Sequence, residues 1–167
     1  MGACNSVYYE ELTELENRLM EAIRTGDIKE AKKILALNVN VNHGNPLFVA
    51  VEKNRIEIII LLLEYKANPN LIELNGTWLE RLCLYTSMHA ATRSYILDRL
   101  IRAGGNINVV NKDGETPLMT FIKNGYNDCA VYAIANGAKT HLKDKKGKTA
   151  LCYARHYGRA EIVELLS

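Results

Sequence analysis

The chain has 167 residues, a formal net charge of +2, 48% apolar and 24% charged residues, which is the balance of a single globular domain. So small a charge gives no field suited to nucleic acid, and the longest apolar run, Ile58 to Leu63, is far too short to span a bilayer. Residues 1–17 lack the apolar stretch that a secretory signal requires, so the expected location is the cytoplasm.

Met1-Gly2-Ala3-Cys4-Asn5-Ser6 fits M-G-x-x-x-[ST], the pattern for myristoylation of Gly2 after Met removal. Cys4 is placed for a second, thioester-linked acyl chain. Lipids at Gly2 and Cys4 would hold the protein at the cytoplasmic face of a membrane. Two other readings stand beside this one: a chance match over six residues, and the end of a bacterial lipobox, which needs an apolar segment before it.

Glu10 to Asn38 reads as a helix pair. Leu12, Leu15, Leu19, Ala22 and Ile23 recur at helical spacing, Thr25-Gly26-Asp27 breaks the pattern, and Asp27 can cap a second helix striped by Ile28, Ala31, Ile34 and Leu35. Glu10, Glu11, Glu14, Glu16 and Glu21 form an acidic outer face around Arg18. Two more helices are predicted over 46–53 and 56–65. The turn before them is short, with four residues from Asn42 to Pro46 against nine from Asn108 to Pro117.

The next stretch is irregular. Trp78 to Gly104 is 26 residues, where Pro117 to Gly137 is 20. Leu79, Leu82, Cys83 and Met88 predict a lengthened helix over about 78–91, with Thr92-Arg93-Ser94 as the following turn. A competing register opens the helix at Thr86 and makes 75–85 an insertion.

From Asn111 the pattern is clear. Asn111-Lys112-Asp113-Gly114 is a turn, Thr116-Pro117 opens a helix because Pro loses no hydrogen bond at a first helical position, and Gly125 closes it. A second helix ends at Gly137-Ala138. The last segment starts with a basic turn, Lys143, Lys145, Lys146 and Lys148, in which Asp144 is the one acid. Arg155 and Arg159 follow, and the final helix covers about 160–166.

Aligned on helix openings, the chain gives Asn45-Pro46-Leu47, Thr77-Trp78-Leu79, Thr116-Pro117-Leu118 and Thr149-Ala150-Leu151. Aligned on helix ends, it gives Lys66-Ala67-Asn68-Pro69-Asn70, Gly104-Gly105-Asn106-Ile107-Asn108 and Gly137-Ala138-Lys139-Thr140-His141. Pro117 and Ala150 are 33 residues apart. This period and the Thr-Pro-Leu opening resemble the ankyrin repeat over about residues 12–167. The resemblance implies an all-α ankyrin-repeat solenoid of about five stacked helix-turn-helix units, near 11–42, 43–72, 73–110, 111–142 and 143–167, with residues 1–10 outside it.

The resemblance also implies that the finger turns and first helices hold another protein. The positions that vary on that face correspond to Glu52, Lys53, Leu74, Asn75, Lys112, Asp113, Glu115, Lys123, Asn124, Lys145, Lys146, Lys148, His156 and Tyr157, with Trp78 as a possible anchor. His141 takes an Asn slot whose side chain bonds the turn backbone, and Cys152 takes an inward slot. Cys83, Cys129 and Cys152 read as reduced, packed thiols.

Cys152 and His156 are four apart on one helix, a spacing a metal could use, but no second pair matches them, so neither metal nor cofactor is expected. There is no G-x-S-x-G, no P-loop and no Cys–His arrangement with an orienting acid, and the repeats leave no room for a catalytic domain, so an enzyme is the remote alternative. The expected function is that of an adaptor or sequestering protein, tethered by N-terminal acylation, monomeric and without nucleic acid. The alternative is a soluble ankyrin-only inhibitor of a signalling protein, similar to the NF-κB or cyclin-kinase inhibitors or a viral or bacterial mimic of them. Abundant Asn, Ile, Lys and Tyr point to an AT-rich genome, such as that of a virus, parasite or intracellular bacterium.

Overall fold

A computed structural model describes residues 13–70 and 90–167, and within them the chain forms nine helices and no strand. Thr13 opens the first helix, α1 (Glu14–Thr25), with a reciprocal cap. The Thr13 side chain accepts the Glu16 N–H, and the Glu16 carboxylate accepts the Thr13 N–H at 2.8 Å. Gly26, at φ 85°, ends the helix, and the Asp27 carboxylate accepts the Glu30 N–H at 2.9 Å to start α2 (Ile28–Leu35). Glu16 therefore does not belong to the acidic outer face: it is buried, and its Oε2 also lies 3.0 Å from His43 Nδ1. Burial works to raise the Glu16 carboxyl, but the Thr13 bonds and His43 outweigh it and hold it below the ordinary range.

Pro46 opens α3 (Pro46–Glu52), and α4 (Ile56–Glu64) follows. Next among the described residues is α5 (Ala90–Arg102), which runs straight through Thr92-Arg93-Ser94. The turn expected there is a correction. No Gly or Pro breaks this stretch, and tertiary contacts hold it helical. The Arg93 guanidinium lies 4.2 Å over the Tyr126 ring, and the Ser94 hydroxyl donates to Asp128 at 2.8 Å. Trp78 and the rest of 71–89 lie outside the described residues. Thr116 caps α6 (Pro117–Asn124), Gly125 ends it at φ 78°, and α7 (Asn127–Ala135) follows. Thr149 caps α8 (Ala150–His156), and α9 (Ala160–Leu166) completes the last pair.

The helices stand in two rows. First helices pack on first helices, α1 on α3 and α6 on α8, while α2, α4, α5, α7 and α9 pack in succession behind them. One apolar core runs through both rows from Leu19 to Ile162. Ile34, Ile58, Leu62, Leu97 and Phe121 are among the side chains it buries fully. Each such burial is worth about 1.5–3 kcal/mol, and it is made between units as well as within each pair, so each pair of helices is stabilised by its neighbours.

Asparagines join one unit to the next. The Asn42 side-chain oxygen accepts the Asn68 N–H at 2.7 Å. The Asn70 amide donates to the Gly104 carbonyl at 2.8 Å and accepts the Asn106 N–H at 2.7 Å. Asn108 does the same one unit on, with Gly137 at 3.2 Å and the Lys139 N–H at 2.7 Å. His141 stands in the same register but is exposed, and its side chain makes no hydrogen bond among the described residues. The turn-bonding role expected of it is not seen among the described residues.

The last pair also differs from its neighbour. Met119 and Ile122 on α6 are fully buried beneath α8. At the matching places on α8 stand Cys152 and Arg155, both exposed. Cys152 is thus not inward, because no described element covers it. Cys129 is buried, as expected.

Candidate functional site

The last two fingers share one local design. Asn111 Oδ1 accepts the N–H groups of Asp113 and Glu115, both at 2.9 Å, and Asp144 Oδ1 accepts those of Lys146 and Lys148, both at 2.8 Å. In each finger the ends are closed by a backbone bond of 3.0 Å, Asn111 N–H to Glu115 O and Asp144 N–H to Lys148 O. An Asx side chain that gathers two successive amides fixes a tight turn. The fingers are then tied to each other, because the Lys145 N–H donates to the Asp113 carbonyl at 3.0 Å. Gly114, at φ 77°, permits this approach: a Cβ there would lie 3.1 Å from the Lys145 nitrogen.

The first helices lean on these fingers through a partly buried polar cluster. The Tyr153 hydroxyl, on α8, lies 2.7 Å from Asp144 Oδ2 and 3.0 Å from Glu115 Oε1, and gives its proton to this pair of carboxylates. Lys123 Nζ, on α6, donates to Glu115 Oε1 at 2.7 Å. Burial and the two carboxylates raise the Tyr153 phenol, which keeps its proton. The Tyr153 hydrogen bond, aided by the Lys148 and Lys146 amides, holds the Asp144 carboxyl below the ordinary range. Burial works to raise the Glu115 carboxyl, but Lys123, Tyr153 and Asn111 outweigh it and the net shift is downward. Lys123 is raised in turn, chiefly by its bond to Glu115.

Among the positions singled out in the sequence, the structure gathers two groups. Lys112, Asp113, Lys145, Lys146 and Lys148 stand exposed on the adjoining fingers, and Lys123, Asn124, His156 and Tyr157 are exposed near the ends of α6 and α8. The Tyr157 ring stacks parallel on Tyr153 with centroids 6.3 Å apart, and the His156 ring meets it edge-on at 4.8 Å. Glu115 differs: its side chain is 12% exposed and already engaged by Lys123 and Tyr153. Glu52 and Lys53, at the end of α3, pair with each other at 3.6 Å. Leu74, Asn75 and Trp78, and the acylation candidates Gly2 and Cys4, lie outside the described residues. Sequence reasoning missed Tyr153 and Asp144 as the pair that organises the face. The signal was present, since Asp144 stands 33 residues after Asn111 and is the one other Asx at that place in a finger.

Among the described residues no three His, Cys, Asp or Glu side chains converge as metal ligands would, and no helix is long and apolar enough to cross a membrane. The face offers exposed charges, amides and one tyrosine on a rigid support.

Comparison with known proteins decides the family. A family description covering three copies of the ankyrin repeat matches residues 87–167, and that of a single ankyrin repeat matches residues 42–73. The chain belongs to the ankyrin-repeat family. Relatives of this ankyrin-repeat chain include Ankyrin repeat and SOCS box protein 11 of Homo sapiens, 30% identical over 112 residues that make up 62% of this chain and 32% of the relative. A probable E3 ubiquitin-protein ligase of Oryza sativa subsp. japonica is 29% identical over 49% of this chain and 19% of its own length. A potassium channel of Arabidopsis thaliana is 32% identical over 37% of this chain and 8% of its own. The chain thus spans a third or less of each of these relatives. What they share with it is the repeat, a unit that binds other proteins.

Proposed function

We propose that this ankyrin-repeat protein is an adaptor or sequestering module that holds a partner protein on its finger and first-helix face while acyl chains at Gly2 and Cys4 tether it to the cytoplasmic face of a membrane. The observation that carries the docking role is the contrast between a packed apolar core and a finger face that presents varied charged, amide and aromatic side chains, Lys112, Lys145 and Lys146 among them, to solvent. The tether rests on the M-G-x-x-x-S start and on Cys4 beside it. One myristoyl chain binds a bilayer only marginally, at about 10⁴ M⁻¹, so stable attachment needs a second signal. Glu10, Glu11 and Glu14 are repelled by an anionic leaflet rather than drawn to it, which leaves the Cys4 thioester as that signal.

The test is fractionation of the full chain expressed in a eukaryotic cell with labelled myristate. The wild type takes up label and sediments with membranes, Gly2→Ala is fully soluble, and Cys4→Ser is labelled but washes off. A soluble, unlabelled wild type removes the tether and makes the protein a free inhibitor or binding module of the same face.

A further inference from the structure

We propose that the last two fingers take an acidic protein segment in extended conformation, with carboxylates spaced to meet Lys112 on one finger and Lys145, Lys146 and Lys148 on the next. This deepens the docking reading above and rests on it. The sequence places acids and bases together here, but the structure separates them. Asp144 is buried and spends one carboxylate oxygen on two backbone amides and the other on Tyr153. Glu115 is spent on Lys123, Tyr153 and its own turn. Asp113 is the one acid of these two fingers left in solvent, against four exposed lysines.

These lysines stand exposed and form no ion pair with any described carboxylate, and Lys148 Nζ lies 6.0 Å from the centre of the Tyr153 ring. The fingers that carry them are pre-organised by the Asn111 and Asp144 turns and by the bond from the Lys145 N–H to Asp113, so binding need not order the backbone first. Tyr157, 38% exposed and stacked on Tyr153, offers an apolar body with a polar tip at the end of α8, the kind of side chain on which interfaces anchor.

Packed helices sit about 8–10 Å apart, which sets the pitch between fingers. An extended chain of the polyproline II kind rises about 3.1 Å per residue and turns every third side chain to the same face, so carboxylates about three residues apart match that pitch. A protein is favoured over nucleic acid because the charge is local. Four lysines on a chain of net charge +2 make a patch for a few carboxylates, with none of the long cationic track that neutralises a phosphate backbone.

The experiment uses the full chain and a fluorescein-labelled peptide of about 12 residues with Glu at every third position, read by anisotropy at low salt. We expect binding that weakens about tenfold or more in Lys145→Glu/Lys146→Glu/Lys148→Glu and for the peptide with Gln in place of Glu, because steering charges act on encounter. The same charge change placed on α2, Lys29→Glu/Lys32→Glu/Lys33→Glu, leaves binding near wild type. If reversal unfolds the chain, Lys145→Gln/Lys146→Gln/Lys148→Gln carries the test with a smaller loss. Absence of binding to the Glu peptide, equal loss from the α2 variant, or tighter lysine-dependent binding of a thymidine oligonucleotide overturns the proposal. A partner held through this face but lacking an acidic segment also overturns it, and leaves the docking reading standing.

Discussion

Arg159 lies so close on Gly125 that a Cβ at position 125 would sit 2.8 Å from the guanidinium Nη2. From there Arg159 Nε donates at 3.2 Å to the Ile122 carbonyl, which also accepts the Gly125 N–H where α6 ends. The same device joins the first two units: Arg55 covers Gly26 and donates to the Arg24 carbonyl at 2.6 Å. A cation at a helix C-terminus also meets the negative end of the helix dipole. The arginine that precedes the second helix of one unit thus closes the first helix of the unit before it.

This gives a graded prediction. Gly137→Ala meets nothing within 4 Å and carries only the penalty of a left-handed backbone, about 1 kcal/mol. Gly125→Ala adds displacement of Arg159 and loss of its hydrogen bond, about 1 kcal/mol more. Thermal melts followed by circular dichroism should show Gly125→Ala below Gly137→Ala by several degrees.

The asparagine bridges make a second comparison. The Asn70 side chain spans two units, whereas the Asn68 side chain accepts only the Asn70 N–H in its own turn. Asn70→Ala should cost about 1–2 kcal/mol and Asn68→Ala about half of that, since two bonds are lost in one case and one in the other. Urea titrations of the two variants check the order.

Acid should destabilise the stack. Glu16, Asp98, Glu115 and Asp144 all have folded carboxyls held below their ordinary values. A lowered folded value means that the unfolded chain binds protons first. The stabilisation is therefore complete above the ordinary carboxylate range, about pH 4, and is lost as pH falls through the folded values. Tyr153→Phe removes the hydroxyl that does most to hold Asp144 down, so its acid midpoint should lie at higher pH than that of the wild type. Equal midpoints in acid titrations followed by circular dichroism would contradict the assignment.

The two described cysteines should behave in opposite ways. Burial, with Asp128 nearby, pushes the Cys129 thiol up to about 12. Cys152 is exposed, and the Thr149 hydroxyl and backbone amide, with Arg155 and Lys148 nearby, lower its thiol. Iodoacetamide on the native protein, followed by peptide mapping, should label Cys152 well before Cys129.

Much of this was legible in the chain itself. Thr116-Pro117, Gly125 and the 33-residue step carry local chemistry that no neighbour overrides, and the structure keeps them. The misreadings share a cause. Thr92-Arg93-Ser94 is locally indifferent between turn and helix, and contacts with Tyr126 and Asp128 on the next unit decide for helix. Glu16 was read by its charge, although Thr13-x-x-Glu16 is a capping pattern visible in the sequence. The exposure of Cys152 depends on what covers α8, which its own residues do not encode. On the finger face the lysines were legible as a basic run, but the inward turn of Asp144 and Glu115 depends on Tyr153, nine and 38 residues away from them.

The central claim is that a partner docks on the finger and first-helix face. The most direct measurement is affinity capture with mass spectrometry, run in parallel on the wild type, on Lys123→Glu/Lys146→Glu/Tyr157→Ala, and on Lys29→Glu/Lys32→Glu/Lys33→Glu on the opposite row. The account predicts a protein enriched by the wild type and by the α2 variant and lost from the finger-face variant. A partner retained by the finger-face variant and lost from the α2 variant would contradict it.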